Sequence, residues 1–245
     1  MSFNTDWQDR TRLLLGENSC DAFRDIHVLV VGLGGVGAYA AEMICRAGIG
    51  RMTIVDGDLV ETTNLNRQLA ALHSTLGQEK ALVIGERLKD INPELDLRVI
   101  SEYLTAERMG EVLSETRFDC VIDAIDSLAP KVELARCCVE RDIPIVCSMG
   151  AGARMDPEQI RCVDVSKTFN CGLARAFRHG LSRYGIRKGV CTVFSSEQPV
   201  RTAIREERSG PNKCSVTGTI SFIPAIFGCH CAAAAIRLIL EKSGK

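Results

Sequence analysis

No two of the twelve cysteines are spaced C-x-x-C, the commonest half-site for structural zinc. A tetrahedral centre would have to be gathered from scattered cysteines, which the sequence leaves open. A basic segment running into a short apolar stretch is also missing from the N-terminus. No secretory signal is therefore read, a cytoplasmic location is expected, and the thiols are expected to be reduced rather than paired. No internal repeat or low-complexity tract interrupts the 245 residues, a length that suits one large α/β domain or a domain with a sizeable appendage. The net charge of -1 and 46% apolar content are ordinary for a soluble globular protein.

What the chain does have is unevenly distributed. Residues 1–160 hold 16 Lys+Arg against 26 Asp+Glu, whereas residues 161–213 hold 11 against 4. A polyanion-binding face needs such an asymmetry, because phosphate contacts release counterions and steer association. The plainer reading is a solvated basic loop. The stretch Ile220–Leu240 is about as long as a membrane span. It contains Pro224, Gly228, His230, Arg237 and four consecutive alanines, so a helix packed in the core or at a dimer interface explains it better. Membrane association is not expected.

Residues 26–37 read IHVLVVGLGGVG, an apolar β-run breaking into glycines at the spacing G-x-G-x-x-G. Gly32 permits the tight turn, Gly34 lets the backbone approach a phosphate, and Gly37 lets the next helix pack close. A second strand, Met52–Val55, ends on Asp56, where a nucleotide-binding sheet places its ribose-gripping carboxylate. Strand–helix alternation then continues. A helix is read from Lys80 to Ile91, a strand at Leu97–Ser101 and a helix at Glu107–Ser114. Next come a strand at Phe118–Ile122 ending in Asp123 and Asp126, a helix at Pro130–Arg141 and a strand at Ile143–Ser148. The expected fold is α/β, a Rossmann-like, doubly wound, mostly parallel sheet. Residues 1–150 form its nucleotide-binding core and 151–245 a C-terminal extension, expected to make one compact unit with it. Beyond Ala151 the pattern loosens; Val190–Phe194 reads as a strand and Arg205–Cys214 as a mobile loop.

Three features point from a hydride carrier toward ATP. Asp56 is followed by Asp58 and then by Asn64-Leu65-Asn66-Arg67-Gln68, and an Arg fork there suits a triphosphate. Lys80 supplies a second cation. Asp126 emerges at the ligand edge, where a carboxylate can hold Mg²⁺. Singly, Arg67 reads equally as a surface salt-bridge partner, Lys80 as a solvated helix residue and Asp126 as a helix N-cap.

In this order and spacing, GLGGVG, IVDGD, NLNRQ, GQEKA and DAIDS resemble the adenylation domain of the ubiquitin-activating-enzyme-like superfamily, over about residues 9–150. The resemblance implies ATP and Mg²⁺ binding and transfer of AMP to a carboxylate. Gly32, Gly34, Gly35 and Gly37, with Asp56, Asp58, Asn64 and Asp123, become the expected nucleotide-binding set. Arg67, Lys80 and Asp126 become the catalytic set, Asp126 also serving the metal. Arg12, in DRTRLLLG, is similar to an arginine that these enzymes send into a partner subunit, which implies a homodimer.

The missing C-x-x-C departs from the sulfur-carrier activators. DAIDSLAPKVEL, GAGARMDPEQIRCVDVSKT, GVCTVFSSE and SGPNKCSVTGTISFIPAIFG instead resemble the tRNA threonylcarbamoyladenosine dehydratase branch, across nearly the whole chain. That branch implies ATP-dependent cyclisation of threonylcarbamoyladenosine in tRNA, next to the anticodon. Arg175, Arg178, Arg183, Arg187 and Lys188 are then the expected RNA contacts. Cys214, beside Lys213, is a candidate acyl acceptor or simply a small apolar residue. Two other functions stay open: activation of a small carrier protein's C-terminal carboxylate, and a dinucleotide-binding dehydrogenase or nucleotide sensor. The sequence also leaves open a bound monovalent cation and a sulfur-transfer accessory protein. DNA is not expected as a partner.

Overall fold

The computed structural model describes residues 7–205 and 216–242. Two short helices, α1 (Asp9–Leu15) and α2 (Glu17–Phe23), precede β1 (His27–Val31), α3 (Gly37–Arg46) and β2 (Arg51–Val55). They are followed by α4 (Lys80–Ile91), β3 (Asp96–Ile100), α5 (Ala106–Glu115), β4 (Cys120–Asp123), α6 (Leu128–Glu140) and β5 (Ile145–Ser148). The remainder forms β6 (Ile160–Asp164), α7 (Gly172–Ser182), β7 (Cys191–Ser195), a ribbon of β8 (Ile204–Arg205) and β9 (Val216–Thr217), and α8 (Phe222–Lys242).

Seven strands form one sheet in the order β3-β2-β1-β4-β5-β7-β6, parallel except for β6, which runs antiparallel to β7 at the edge. All five residues of β1 are buried, as expected for a parallel strand covered on both faces. Alternation sends Val28 and Val30 to one face with Met52, Ile54, Ile122 and Val146, beneath α3, α4 and α8. Leu29 and Val31 face the other way with Val55, Val121 and Cys147, beneath α5, α6 and α7. The strand order reverses between β1 and β4, and in such sheets ligands bind outside the carboxyl ends at that point.

Glycine permits the closest approaches. A Cβ on Gly37 would lie 1.7 Å from the Gly32 carbonyl oxygen, so only glycine lets α3 start against the turn. A Cβ on Gly228 would lie 2.5 Å from the Val36 carbonyl oxygen, which shows how tightly α8 packs on α3. The apolar stretch at Ile220–Leu240 is thus largely a core helix. Although α8 is long and apolar enough to cross a membrane, half of its most apolar 18 residues are buried inside the protein.

The expected elements of the first 150 residues all form, with ends moved by one or two residues. Phe118 lies outside β4, in the turn before it, where it is buried against His27. The sequence reading lacks β6, α7 and the β8–β9 ribbon. Arg205 is a strand residue rather than the first residue of a loop, and Cys214 lies outside the described residues.

Candidate active site

The glycine turn, the end of β2 and the end of β4 meet at the carboxyl edge of the sheet. Asp56, the first residue after β2, accepts hydrogen bonds from the backbone N–H of Leu33 at 2.5 Å and of Asp58 at 2.8 Å. Its carboxylate therefore fixes the glycine turn to the neighbouring loop. Burial pushes its pKa up, and the two N–H donors pull the other way. A Cβ on Gly34 would meet nothing within 4 Å except the Gln68 side-chain amide. The Gln68 amide oxygen is buried and has no hydrogen-bond partner. An open backbone beside an unpaired polar atom leaves room at the turn for a ligand to be held.

The cations come from the loop after β2 and the start of α4. Asn64 is buried, and its side-chain oxygen accepts from the Glu61 backbone N–H at 3.1 Å, which shapes the short helical turn that carries it. Arg67 Nη1 donates to the Thr63 carbonyl at 2.9 Å and to Asn66 Oδ1 at 2.8 Å. Lys80 is 4% exposed, and its Nζ lies 2.7 Å from Asp58 Oδ2. It is a buried lysine, not a solvated helix residue. The other Asp58 oxygen accepts from the Tyr103 hydroxyl, an interaction that pushes the Tyr103 pKa up to about 12.

Asp126 is exposed beyond the end of β4 and accepts from the Ser127 hydroxyl at 3.3 Å. The N-terminal boundary residue of α6 is Ser127, whose side chain makes no cap hydrogen bond, and Asp126 lies one residue before it. Asp123 departs from its expected place among the nucleotide contacts. It is fully buried, with Oδ2 2.8 Å from Lys131 Nζ, itself fully buried, and Oδ1 accepting from the Ile125 N–H at 3.0 Å. Lys131 also donates to the Ile125 carbonyl at 2.9 Å. The pair holds from beneath the turn that presents Asp126. Burial pushes the Asp123 pKa up and the lysine draws it back.

The model of the ThiF family matches residues 8–245. The tRNA threonylcarbamoyladenosine dehydratase of Bacillus subtilis is 41% identical over 81% of this chain and 77% of its own. The structure of the Escherichia coli tRNA N6-threonylcarbamoyladenosine dehydratase, TcdA, in complex with ATP superposes with a TM-score of 0.87. It is 37% identical and covers 96% of this chain and 94% of its own. The Escherichia coli sulfur carrier protein ThiS adenylyltransferase is 32% identical over only 52% of this chain and 50% of its own. The chain belongs to the ThiF family.

Within this ThiF-family chain, other expected residues lie apart from the nucleotide loops. Arg12 is folded back on α2, 2.9 Å from Glu17 and 3.6 Å from Asp21. The five basic residues of 175–188 do not form one patch. The start of α7 lies at the carboxyl edge of the sheet, since a Cβ on Gly150, just beyond β5, would sit 3.7 Å from Cys171 Sγ. From there α7 descends beside α6, with Phe177 against Lys131, Gly180 against Val132 and Tyr184 over Arg136. Arg175 is exposed near the top. Arg178 is turned inward onto the Thr168 carbonyl and hydroxyl. Arg183, Arg187 and Lys188 follow α7 and precede β7, which brings them to the edge opposite the nucleotide loops. Cations just past a helix C-terminus complement its dipole and need no nucleic acid to explain them.

Sequence reading missed Lys131 and Asn66. Lysine in a helix reads as solvated, and only the fold brings it under Asp123. Asn66 lies inside the NLNRQ motif, yet its Nδ2 bonds to the Thr219 carbonyl at 3.0 Å, 153 residues away.

Proposed function

We propose that the chain is an ATP-dependent tRNA threonylcarbamoyladenosine dehydratase. It adenylates the threonyl carboxylate and closes the side chain into a ring. The observation that carries this is one sheet edge holding the open glycine turn, Asp56, Asn64, Arg67 and Lys80, in a chain 96% of which matches an ATP-bound dehydratase.

A threonyl carboxylate oxygen attacks the α-phosphate of ATP, and pyrophosphate leaves. Arg67 and Lys80 lie where negative charge builds, and preorganised donors of this kind stabilise a transition state more than a ground state. A carbamoyl heteroatom then attacks the acyl carbon, a five-membered ring closes, and AMP departs with the oxygen that would otherwise leave as water. Held in one side chain, the two groups react at high effective molarity, so no thiol acceptor is required. One exposed carboxylate completed by phosphate oxygens suits Mg²⁺. Asp126 would hold the ion, which when bound would draw charge from the phosphates.

A second copy of the chain belongs to the same reading. None of the residues of α1 is buried, and Leu13 and Leu14 are 87% and 82% exposed on the same short helix as Arg12. A homodimer would cover these leucines and allow Arg12 to exchange its internal carboxylates for the phosphates of the neighbouring site. The location that goes with a tRNA substrate and reduced thiols is the cytoplasm.

The test is exchange of pyrophosphate into ATP, with and without threonylcarbamoylated tRNA, followed by mass spectrometry of the RNA. Exchange that depends on the modified tRNA, with a product lighter by one water, is the expected result. Exchange stimulated only by a small carrier protein would favour the adenylyltransferase reading, which the match over about half the chain supports less well.

A further inference from the structure

Two thiols far from the nucleotide loops lie against each other. Strands β6 and β7 are antiparallel, with Cys162 opposite Val193 and Cys191 opposite Asp164. Alternation puts Cys162, Val193 and Cys191 on one face of the sheet, the face that α8 covers. The two cysteines are therefore diagonal neighbours, and both are free thiols. Their Sγ atoms are 3.1 Å apart, close enough to share a thiol hydrogen. Between them the Thr192 hydroxyl donates to the Val163 carbonyl at 2.9 Å, which helps to hold the strands in register.

The surroundings make the two sulfurs unequal. The hydrogen bond from Cys191 and the nearby Arg237 guanidinium on α8 favour the anion at Cys162 and draw its pKa down to about 7, against the effect of burial. Sharing its hydrogen with Cys162, together with burial, pushes the Cys191 thiol up. The pair thus offers a thiolate beside a thiol, the arrangement that a reacting cysteine and a resolving cysteine require. The other ionisable groups that act on Cys191 are the buried thiols of Cys147 on β5 and Cys231 on α8, which burial keeps protonated.

Access and reach also favour the pair. Cys162 and Cys191 are half-buried, whereas Cys45, Cys120, Cys138, Cys147 and Cys231 are buried. To bond, the sulfurs must close from 3.1 Å to about 2.05 Å, and β6, an edge strand with β7 as its one neighbour in the sheet, can yield that distance.

We propose that Cys162 and Cys191 form a peroxide-responsive modification site, with Cys162 as the reacting thiol and Cys191 as the thiol that resolves it. The Cys162 thiolate attacks one oxygen of hydrogen peroxide, the O–O bond breaks, and the departing hydroxide takes up a proton to become water. Cys162 is then a sulfenic acid, oxidised by two electrons while the peroxide is reduced. The Cys191 sulfur attacks the Cys162 sulfur, the S–S bond forms and the S–O bond breaks. The Cys191 thiol hydrogen leaves with that oxygen as a second water. A small dithiol reverses the bond by exchange. Disulfides of cytosolic proteins are usually transient and catalytic or redox-sensing, which agrees with a pair that rests as thiols. The inference does not rest on the reaction proposed above, because β6 and β7 lie across the sheet from β2.

The full reduced chain should be treated with equimolar hydrogen peroxide at neutral pH, quenched, blocked with N-ethylmaleimide and digested with trypsin without reduction. Trypsin frees Cys162 in residues 162–167 and Cys191 in residues 189–201. The expected product is these two peptides joined, lighter than their sum by two hydrogens and separated again by dithiothreitol. Cys191→Ser should form no such cross-link and should leave a Cys162 sulfenic acid that dimedone captures. The wild-type digest keeps the test independent of how well that variant folds. Before oxidation, iodoacetamide should modify Cys162 faster than the more exposed Cys229, whose thiol burial pushes up. Treated protein in which the two peptides stay unlinked overturns the proposal, whether Cys162 remains a thiol or goes on to a sulfinic acid. A cross-link that forms only after denaturation does the same, since the folded chain would not then hold the sulfurs within reach. Alkylation of Cys162 slower than that of Cys229 would remove it as the reacting thiol.

Discussion

Arg67 is only partly committed within the chain. One terminal nitrogen, Nη1, serves both Thr63 and Asn66. The rest of the guanidinium fork is available to an anion at the sheet edge. Arg67→Ala should therefore reduce turnover roughly a hundred- to a thousand-fold, or ~3–4 kcal/mol, the usual effect of deleting one transition-state donor. Thermal unfolding should change little, because the hydrogen bonds lost lie at an exposed loop. Near-normal turnover at saturating ATP would remove Arg67 from the mechanism. Lys131 is the opposite case, since both it and its partner Asp123 are fully buried. Lys131→Met strands a carboxylate in the core and should cost about 3–5 kcal/mol in urea unfolding, much of which Asp123→Asn in the same chain should restore. An equal loss in single and double variants would mean that packing, not charge, holds this turn.

Helix α4 is positioned by an ion pair as well as by its apolar face. Glu42 on α3 accepts from Arg46 at 2.8 Å and from Arg87 on α4 at 2.6 Å. Burial pushes its pKa up, but the hydrogen bonds from Arg87 and Arg46 prevail and hold the carboxyl below its usual range. A depressed folded pKa contributes stability that is present above the unfolded pKa and lost as pH falls through the folded one. Glu42→Gln should thus be less stable than wild type at neutral pH by about 1–3 kcal/mol. The gap should close below about pH 4, as the wild-type carboxyl protonates. A constant gap across an acid titration would show that the pair does not bind α3 to α4. Elements of this kind were legible in the sequence where the signals are local. The Lys80–Ile91 helix was read to its ends, since its apolar spacing stops at Asn92-Pro93. Helix α7 was not, because it opens on Gly172, contains Gly180 and carries two arginines and a histidine. Strand β6 is a short edge strand with one buried residue, which leaves little periodicity to read.

For the molecule as a whole, the same division explains which parts of the site could be read. The glycine turn, Asp56 and the NLNRQ loop are contiguous motifs whose chemistry travels with their sequence. The Asn66–Thr219 bond and the Asp123–Lys131 pair depend on the sheet being assembled. Assembly of two chains is a further step of this kind, and Arg12 is where it can be tested. If Arg12 of one copy serves the nucleotide site of the other, Arg12→Ala and Arg67→Ala are each inactive for different reasons. In a mixed dimer, the site on the Arg12→Ala chain keeps its own Arg67 and receives Arg12 from the Arg67→Ala chain. Random exchange of equal amounts would make half of the dimers mixed, each with one intact site, so about a quarter of wild-type activity should return on mixing. Recovery should need time for subunits to exchange and should vanish if each variant is first cross-linked to itself. If no activity returns although exchange is verified by mass, Arg12 acts within its own chain through Glu17 and Asp21, and the exposed leucines of α1 need another explanation.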